Sequence, residues 1–348
     1  MKMSSENIDS RKNRHLRYFT TDEKPHRNFF DDIYLFNSPL APLNTDAIDT
    51  GCTFSGSGLS FPAMISAVTG GTDEGAELNR LMAQAAAVHK IAFQSGSIRI
   101  ALENPELTPH FQLNRQKELS FYALNIGAVQ LGEYPVSQIS DLMCKTNAHA
   151  LFIHLNKLQE LAQDSGDRDF SQIKRSITET VKNLGFPVFL KETGCGFGPE
   201  LLEHYIASGI AGVDTGGYGG TDFLEIENQG NSNSELMKPF ENWGVPTPVS
   251  VMLNKSKNIE LIAGGGVRNG LDALKALAVG ANLVSFAGPV VRAYYKSGLN
   301  GINNFLKNFF TQFRYAMLLT GISCIDEIPK LKYSISHQLE SYLNIRKS

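Results

Sequence analysis

The chain has 348 residues, 42% hydrophobic and 19% charged, enough to bury the core of one large α/β domain or two smaller ones and to build an enzyme. Lysine and arginine number 32 against 35 aspartates and glutamates, a formal charge of -3, so no global charge calls for a nucleic-acid or membrane partner and any anionic ligand must be held locally. Cys52, Cys144, Cys195 and Cys324 lie far apart with no CxxC pair, against a zinc site or a disulfide framework, and with no signal-peptide core and no run of about 18 apolar residues the expectation is a cytoplasmic protein.

In chain order, residues 1–55 read as an N-terminal arm and lead-in that carries the basic segment SRKNRH (10–15), in isolation the composition of a disordered arm. Residues 56–348 read as one barrel domain with C-terminal helices. Short apolar, β-leaning runs recur along it: FPAMISAV from Phe61, KIAFQSG from Lys90, FYALNIGA from Phe121, ALFIHLN from Ala150, FPVFLKE from Phe186, AGVDTGG from Ala211, IELIAGGG from Ile259 and ANLVSFAG from Ala281. Helical periodicity falls between them, as at 77–90, 174–185 and 270–280. Strands that are continuously apolar, alternating with helices, predict a (β/α)8 TIM barrel with an N-terminal extension. An open doubly wound sheet is the alternative.

Each run ends on polar or glycine-rich residues, and in a barrel these ends open on the one face where active sites are built. Two ends stand out. After the seventh run, Gly264 to Gly266 turn into a helix beginning near Leu271, whose amides and dipole point back at the turn, and Arg268 adds a charge, so an anion site is expected there. The eighth run ends in Ala287-Gly288-Pro289, a second small turn, and phosphate binding after strands seven and eight recurs in such barrels. Lys191 closes the fifth run as a solvated strand end or as a cation in the barrel mouth, of the kind that flavin barrels hold near the flavin N1 and O2.

The motifs ISAVTGGT (65–72), SGSIR (95–99), NIGAVQ (125–130), HLNKLQE (154–160), KETGCG (191–196), YGGTDF (218–223), NWGVPT (242–247) and IAGGGVRNGLDALKALAVGA (262–281) resemble, in that order, the type 2 isopentenyl diphosphate isomerases, and SRKNRH (10–15) resembles that family's substrate-binding arm. HLNKLQE and the arm are the specific part, because other flavin barrels share the glycine turns. The resemblance implies interconversion of isopentenyl and dimethylallyl diphosphate in isoprenoid biosynthesis with reduced FMN, Mg2+ and NADPH to reduce the flavin, with no net redox change, in a homotetramer or homo-octamer. It implies Arg11, Lys12, His15, Arg99, Asn156 and Gln159 as substrate contacts, and His154, Gln159, Glu160 and Lys191 as catalytic residues. Glu160 would be the magnesium ligand. Flavin contacts would be Ala67, Val68, Thr69, Ser97, Asn125, Lys191 and Thr221, with Gly265, Gly266, Arg268, Ala287 and Gly288 around the phosphate. Taken alone, Gln159 and Glu160 would be solvated helix-start residues.

The chain departs from the family pattern at Ile98, where glutamine is more frequent, at Gly288, where arginine is common, and at Asp222-Phe223. These departures predict altered affinity rather than lost chemistry. The polar, poorly periodic stretch 222–244 reads as a lid over the barrel mouth, and 301–321 as an amphipathic, aromatic helix for core or subunit contact. Three rivals are weaker. An FMN oxidoreductase of the 2-hydroxy-acid oxidase type is expected to carry a late catalytic histidine, and no histidine lies between His204 and His337. A non-catalytic flavin- or phosphate-binding barrel needs neither Glu160 nor the basic arm. A barrel of the inosine monophosphate dehydrogenase type needs a cysteine after the sixth strand, where Asp214-Thr215-Gly216 stand.

Overall fold

The computed structural model describes residues 16, 18–20, 27–68, 70, 72–199, 202–228, 234–255 and 258–344. Arg11, Lys12, His15 and Thr69 lie outside the described residues. Eight parallel strands close into a barrel: β1 (Ala63–Ile65), β2 (Ala92–Ser97), β3 (Phe121–Gly127), β4 (Ala150–Leu155), β5 (Val188–Glu192), β6 (Gly212–Asp214), β7 (Glu260–Gly264) and β8 (Leu283–Phe286). The ring closes where β8 pairs with β1, Ser285 opposite Met64. Every apolar run in the sequence coincides with one of these strands to within a few residues, and the open-sheet alternative is excluded. The strands are largely buried on both faces, which is why they begin as continuous apolar runs and do not alternate.

Alternation decides what fills the barrel. Met64, Ala92, Phe121, Ala123, Ala150, Phe152, Phe189, Ile262 and Leu283 form an interior cluster. A hairpin, Cys52–Phe54 with Ser57–Leu59, plugs the N-terminal end, and the Phe54 ring sits 5.1 Å from that of Phe121 and 5.7 Å from that of Phe189. Two residues further along each strand, on the same inward face, stand Ser66, Gln94, Asn125, His154, Lys191, Asp214 and Ser285. The interior therefore changes from apolar at the plugged end to polar at the open end.

The second residue of each alternation faces the outer helices. Thr72 caps the helix Asp73–His89, its Oγ1 accepting from the Gly75 amide at 3.0 Å. The helix Gly288–Thr320 breaks at Ser297 and Gly298, and beyond the break it buries Ile302, Leu306, Phe309, Phe313 and Met317, the core-facing stripe expected from residues 301–321. The strand Ile33–Leu35 pairs antiparallel with Tyr333–Ile335, tying the lead-in to the C-terminal segment. The stretch 222–244 is more regular than its polarity implied. It holds the helices Phe223–Asn228 and Ser234–Met237, and Leu224, Met237 and Ala162 form a small cluster of their own. Among the described residues no helix is long and apolar enough to cross a membrane.

Candidate active site

Strand register sets the innermost polar layer. His154 on β4 lies opposite Lys191 on β5, and Lys191 opposite Asp214 on β6. Lys191 Nζ is 2.7 Å from Asp214 Oδ2, and the Asp214 side chain is 0% exposed. The same carboxylate accepts from Ser285 Oγ at 3.0 Å and from the Gly216 amide at 3.2 Å, so its burial is matched by three donors. His154 Nδ1 stands 2.6 Å from Asn125 Oδ1; an amide oxygen only accepts, which puts a proton on Nδ1. Gln94 Oε1 accepts from Ser66 Oγ and the Ala67 amide, leaving its buried Nε2 a donor with no partner among the described residues.

Above this layer opens a cavity of about 1280 Å³, larger than the roughly 300–1,000 Å³ of a pocket for one small molecule. Ala67, Val68, Ser97, Arg99, Asn125 and His154 line it from the ends of β1 to β4, and Asn156, Gln159, Glu160 and Lys191 continue the wall. Thr221, Gly265, Gly266, Arg268, Ala287 and Gly288 complete it. All the described residues named as catalytic, substrate or flavin contacts therefore share one cavity. Ile98 is not among them: it is fully buried in the core, so its departure from the family pattern falls on packing and removes no polar group from the cavity wall.

One wall is acidic and internally braced. Asn156 Nδ2 donates to Glu160 Oε1 at 2.7 Å, and the Asp167 amide to Glu160 Oε2 at 3.0 Å. Asn156 thus fixes the Glu160 carboxylate. Gln130 Nε2 in turn donates to Asp167 Oδ2 at 2.9 Å. Gln159 and Gln163, one helical turn apart, both donate to Glu227 Oε1, at 2.9 and 3.0 Å. Glu227 belongs to the helix Phe223–Asn228, so the stretch 222–244 is latched to the helix that carries Glu160.

The opposite wall is the glycine turn. Gly265 and Gly266 have φ of 96° and 82°, the left-handed region that glycine enters without penalty. The following helix keeps several of its first amides for protein partners. The Gly270 amide donates to Gln312 Oε1, that of Asp272 to the cap residue Asn269, and Asp272 Oδ2 takes the Arg268 amide. The turn and the Arg268 side chain remain as the anion-facing groups. Gly270 is bare for another reason: a methyl group there would lie 2.2 Å from the Phe309 oxygen and the Phe313 nitrogen. It lets two helices touch.

A family model described as FMN-dependent dehydrogenase matches residues 246–334. Isopentenyl-diphosphate delta-isomerase of Borreliella afzelii (strain PKo) is 31% identical over 336 residues, covering 96% of this chain and 95% of that one. The chain belongs to the isopentenyl-diphosphate delta-isomerase family. The enzymes of that name from Pyrococcus abyssi, 32% identical with coverage of 96% and 94%, and Methanothermobacter thermautotrophicus, 34% identical with coverage of 97% and 97%, agree. Among solved structures, a lactate oxidase of Pediococcus acidilactici superposes with TM-score 0.65 at 15% identity, covering 97% and 96% of the two chains. A flavocytochrome b2 variant reaches 0.65 at 21% identity, covering 94% and 83%. These show the barrel fold. With the FMN-dependent dehydrogenase match over its last strands, this isomerase is of the FMN-dependent type 2 kind.

Sequence reasoning passed over several residues that the isomerase brings into or behind its cavity: Gln130, Gln163, Asp167, Glu227 and Arg292. In the sequence Glu192 and Asp214 stand only as polar ends of their apolar runs. The signals were faint. Gln163 repeats Gln159 at a spacing of one helical turn, and Glu192 neighbours Lys191, whereas nothing local marks Glu227. Glu192 Oε2 accepts from the amides of Gly194 at 2.7 Å, of Cys195, and of Gly196 at 3.1 Å. Burial in the cavity wall outweighs these three donors and pushes its carboxyl up to about 7. Burial also pushes the Cys195 thiol far up, the opposite of what a nucleophilic cysteine needs.

Proposed function

We propose that this isomerase binds FMN, Mg2+ and isopentenyl diphosphate in the one cavity and forms dimethylallyl diphosphate in isoprenoid biosynthesis, with NADPH reducing the flavin and no net redox change. The observation that carries the reading is that a cation at Lys191, a glycine turn beside Arg268 and a braced carboxylate at Glu160 line the same barrel mouth. That mouth is large enough for a cofactor and a substrate together. The residues fit FMN: the turn at Gly265 and Gly266 allows a phosphate close approach to the backbone, and Gln94 holds a buried donor behind Ala67. They also fit a magnesium bound by one carboxylate and substrate oxygens, since each Glu160 oxygen accepts one protein donor and keeps a further lone pair.

The reaction moves a double bond, adding a proton at one carbon and removing one from another through a transition state of cationic character. When bound, reduced flavin supplies an electron-rich face that stabilises that charge and a nitrogen able to exchange the proton. The chain's own residues do the rest. Lys191, held by Asp214, sets positive charge beside the flavin ring; Ala67, Val68, Thr69, Ser97, Asn125 and Thr221 seat the ring, and Gly265, Gly266, Arg268, Ala287 and Gly288 its phosphate. Glu160 holds magnesium against the diphosphate. Gln159, fixed by Glu227, and Asn156 orient substrate, and His154, its Nδ1 proton engaged by Asn125, stands on the diphosphate side. Arg11, Lys12 and His15 bind the diphosphate from the arm, and Arg99 from the helix start after β2.

We also assign a homotetramer or homo-octamer in the cytoplasm, with Phe36, Leu40, Tyr315 and Leu319, exposed on neighbouring segments, as subunit contact; light scattering tests it. The reaction itself is tested by anaerobic incubation with isopentenyl diphosphate, omitting FMN, Mg2+ or NADPH in turn. Full turnover should need all three, and isomer formed without flavin would contradict the reading.

A further inference from the structure

The helix Lys157–Ala162 carries Gln159 and Glu160 into the cavity wall and is six residues long. A helix of that length is marginal by itself, and the last carbonyls of any helix find no partner within it. Arg168 supplies partners from the loop that follows. Its Nη2 donates to the carbonyl oxygens of Leu161 at 3.3 Å and Gln163 at 2.6 Å. Its Nη1 donates to those of Glu160, of Gly166 at 2.9 Å and of Asp167 at 3.2 Å. One guanidinium therefore closes residues 160–168 into a ring, at the end of the helix that favours a cation.

The ring bears on a single side chain. Gly166 passes so close to the Glu160 main chain that a methyl group there would lie 2.0 Å from the Glu160 oxygen. This close return puts the next amide, that of Asp167, on Glu160 Oε2 at 3.0 Å. Arg168 thus holds the backbone of Glu160 together with the backbone of the residue whose amide orients the Glu160 carboxylate. Asp167 lines the cavity, whereas Arg168 stands outside the lining and is exposed, so its influence on a bound ligand runs through Glu160.

We propose that Arg168 is a positioning residue for the metal site: by fastening the loop 163–168 to the end of the helix Lys157–Ala162, it fixes the Glu160 carboxylate for magnesium. This rests on the reading of Glu160 as the magnesium ligand. Lysine is no substitute, because its donors sit on one nitrogen and do not span carbonyls as the two arms of a guanidinium do.

The test measures the dissociation constant of isopentenyl diphosphate for the oxidised, FMN-loaded protein across a Mg2+ titration, by calorimetry, in the wild-type protein, Arg168→Gln, Arg168→Lys and Glu160→Gln. Binding is thereby read apart from turnover. Mg2+ should tighten binding to the wild-type protein. Arg168→Gln should raise the Mg2+ concentration for half of that tightening by about 10–100-fold, Arg168→Lys should raise it by less, and the dissociation constant of FMN should stay that of wild type. A helix cap with no further role would lower the melting temperature of Arg168→Gln and leave the Mg2+ midpoint where it was, and that result overturns the proposal. So does an FMN dissociation constant that shifts by the same factor, the mark of a barrel mouth loosened as a whole. If Arg168→Gln does not fold, Arg168→Lys, which keeps the charge and loses the fork, decides by the same midpoint. Wild-type binding indifferent to Mg2+, or a Mg2+ response that survives Glu160→Gln, would instead sink the reading of Glu160 as the metal ligand.

Discussion

Lys191 and Asp214 form a buried ion pair across neighbouring strands, Nζ to Oδ2 at 2.7 Å, with the lysine side chain 12% exposed and the aspartate fully buried. Lys191→Met leaves the Asp214 charge with only Ser285 and the Gly216 amide, and stability should fall by about 3–5 kcal/mol. Adding Asp214→Asn removes the stranded charge and should restore most of the loss. Urea unfolding of both variants measures this; a single variant within about 1 kcal/mol of wild type contradicts the coupling.

Glu192 makes the fold sensitive to pH near neutrality. Its folded carboxyl is raised to about 7 from an ordinary 4.5, so the native state holds a proton that the unfolded chain has released. The stabilisation is complete below the unfolded value and is lost as pH rises through about 7. Glu192→Gln should flatten the stability profile across that window. An unaltered profile means that the three amide donors keep the carboxylate ionised.

Asn156 holds Glu160 Oε1, and a partner that orients a metal ligand is commonly worth about 10–100-fold in metal affinity. Asn156→Ala should raise the magnesium concentration for half-maximal activity by that factor. Glu160→Gln should abolish the magnesium response. Unchanged magnesium titrations in both variants would remove Glu160 from the metal site.

The helix Phe223–Asn228 is latched to the helix Lys157–Ala162 by Glu227, which accepts from Gln159 and Gln163. Glu227→Ala leaves two amides without that acceptor, a loss of about 1–3 kcal/mol, and should speed proteolysis within 222–244. In the wild-type protein diphosphate substrate should slow the same cleavage. Equal rates with and without substrate would contradict a closing lid.

The barrel is legible in the sequence because parallel strands buried on both faces must be apolar runs, and their polar ends must converge on one mouth. Motif order supplied the cavity residues. What stayed hidden is long-range or ambiguous. Glu227 pairs with Gln159 from 68 positions away, a distance over which one sequence carries no signal. Gly270 looks like part of a phosphate turn, yet its missing side chain serves helix packing. The helices in 222–244 span six and four residues, too short to show a period.

The central claim is proton relocation without net redox change at this cavity. Its most direct measurement is anaerobic incubation of the flavin-reduced, magnesium-supplied protein with isopentenyl diphosphate in D2O, followed by mass spectrometry of the product and the flavin absorbance spectrum. Dimethylallyl diphosphate carrying deuterium, with the flavin still reduced at the end, is the predicted result. A reduced product formed with reoxidation of the flavin, and no isomer, would make the protein an oxidoreductase on the same barrel.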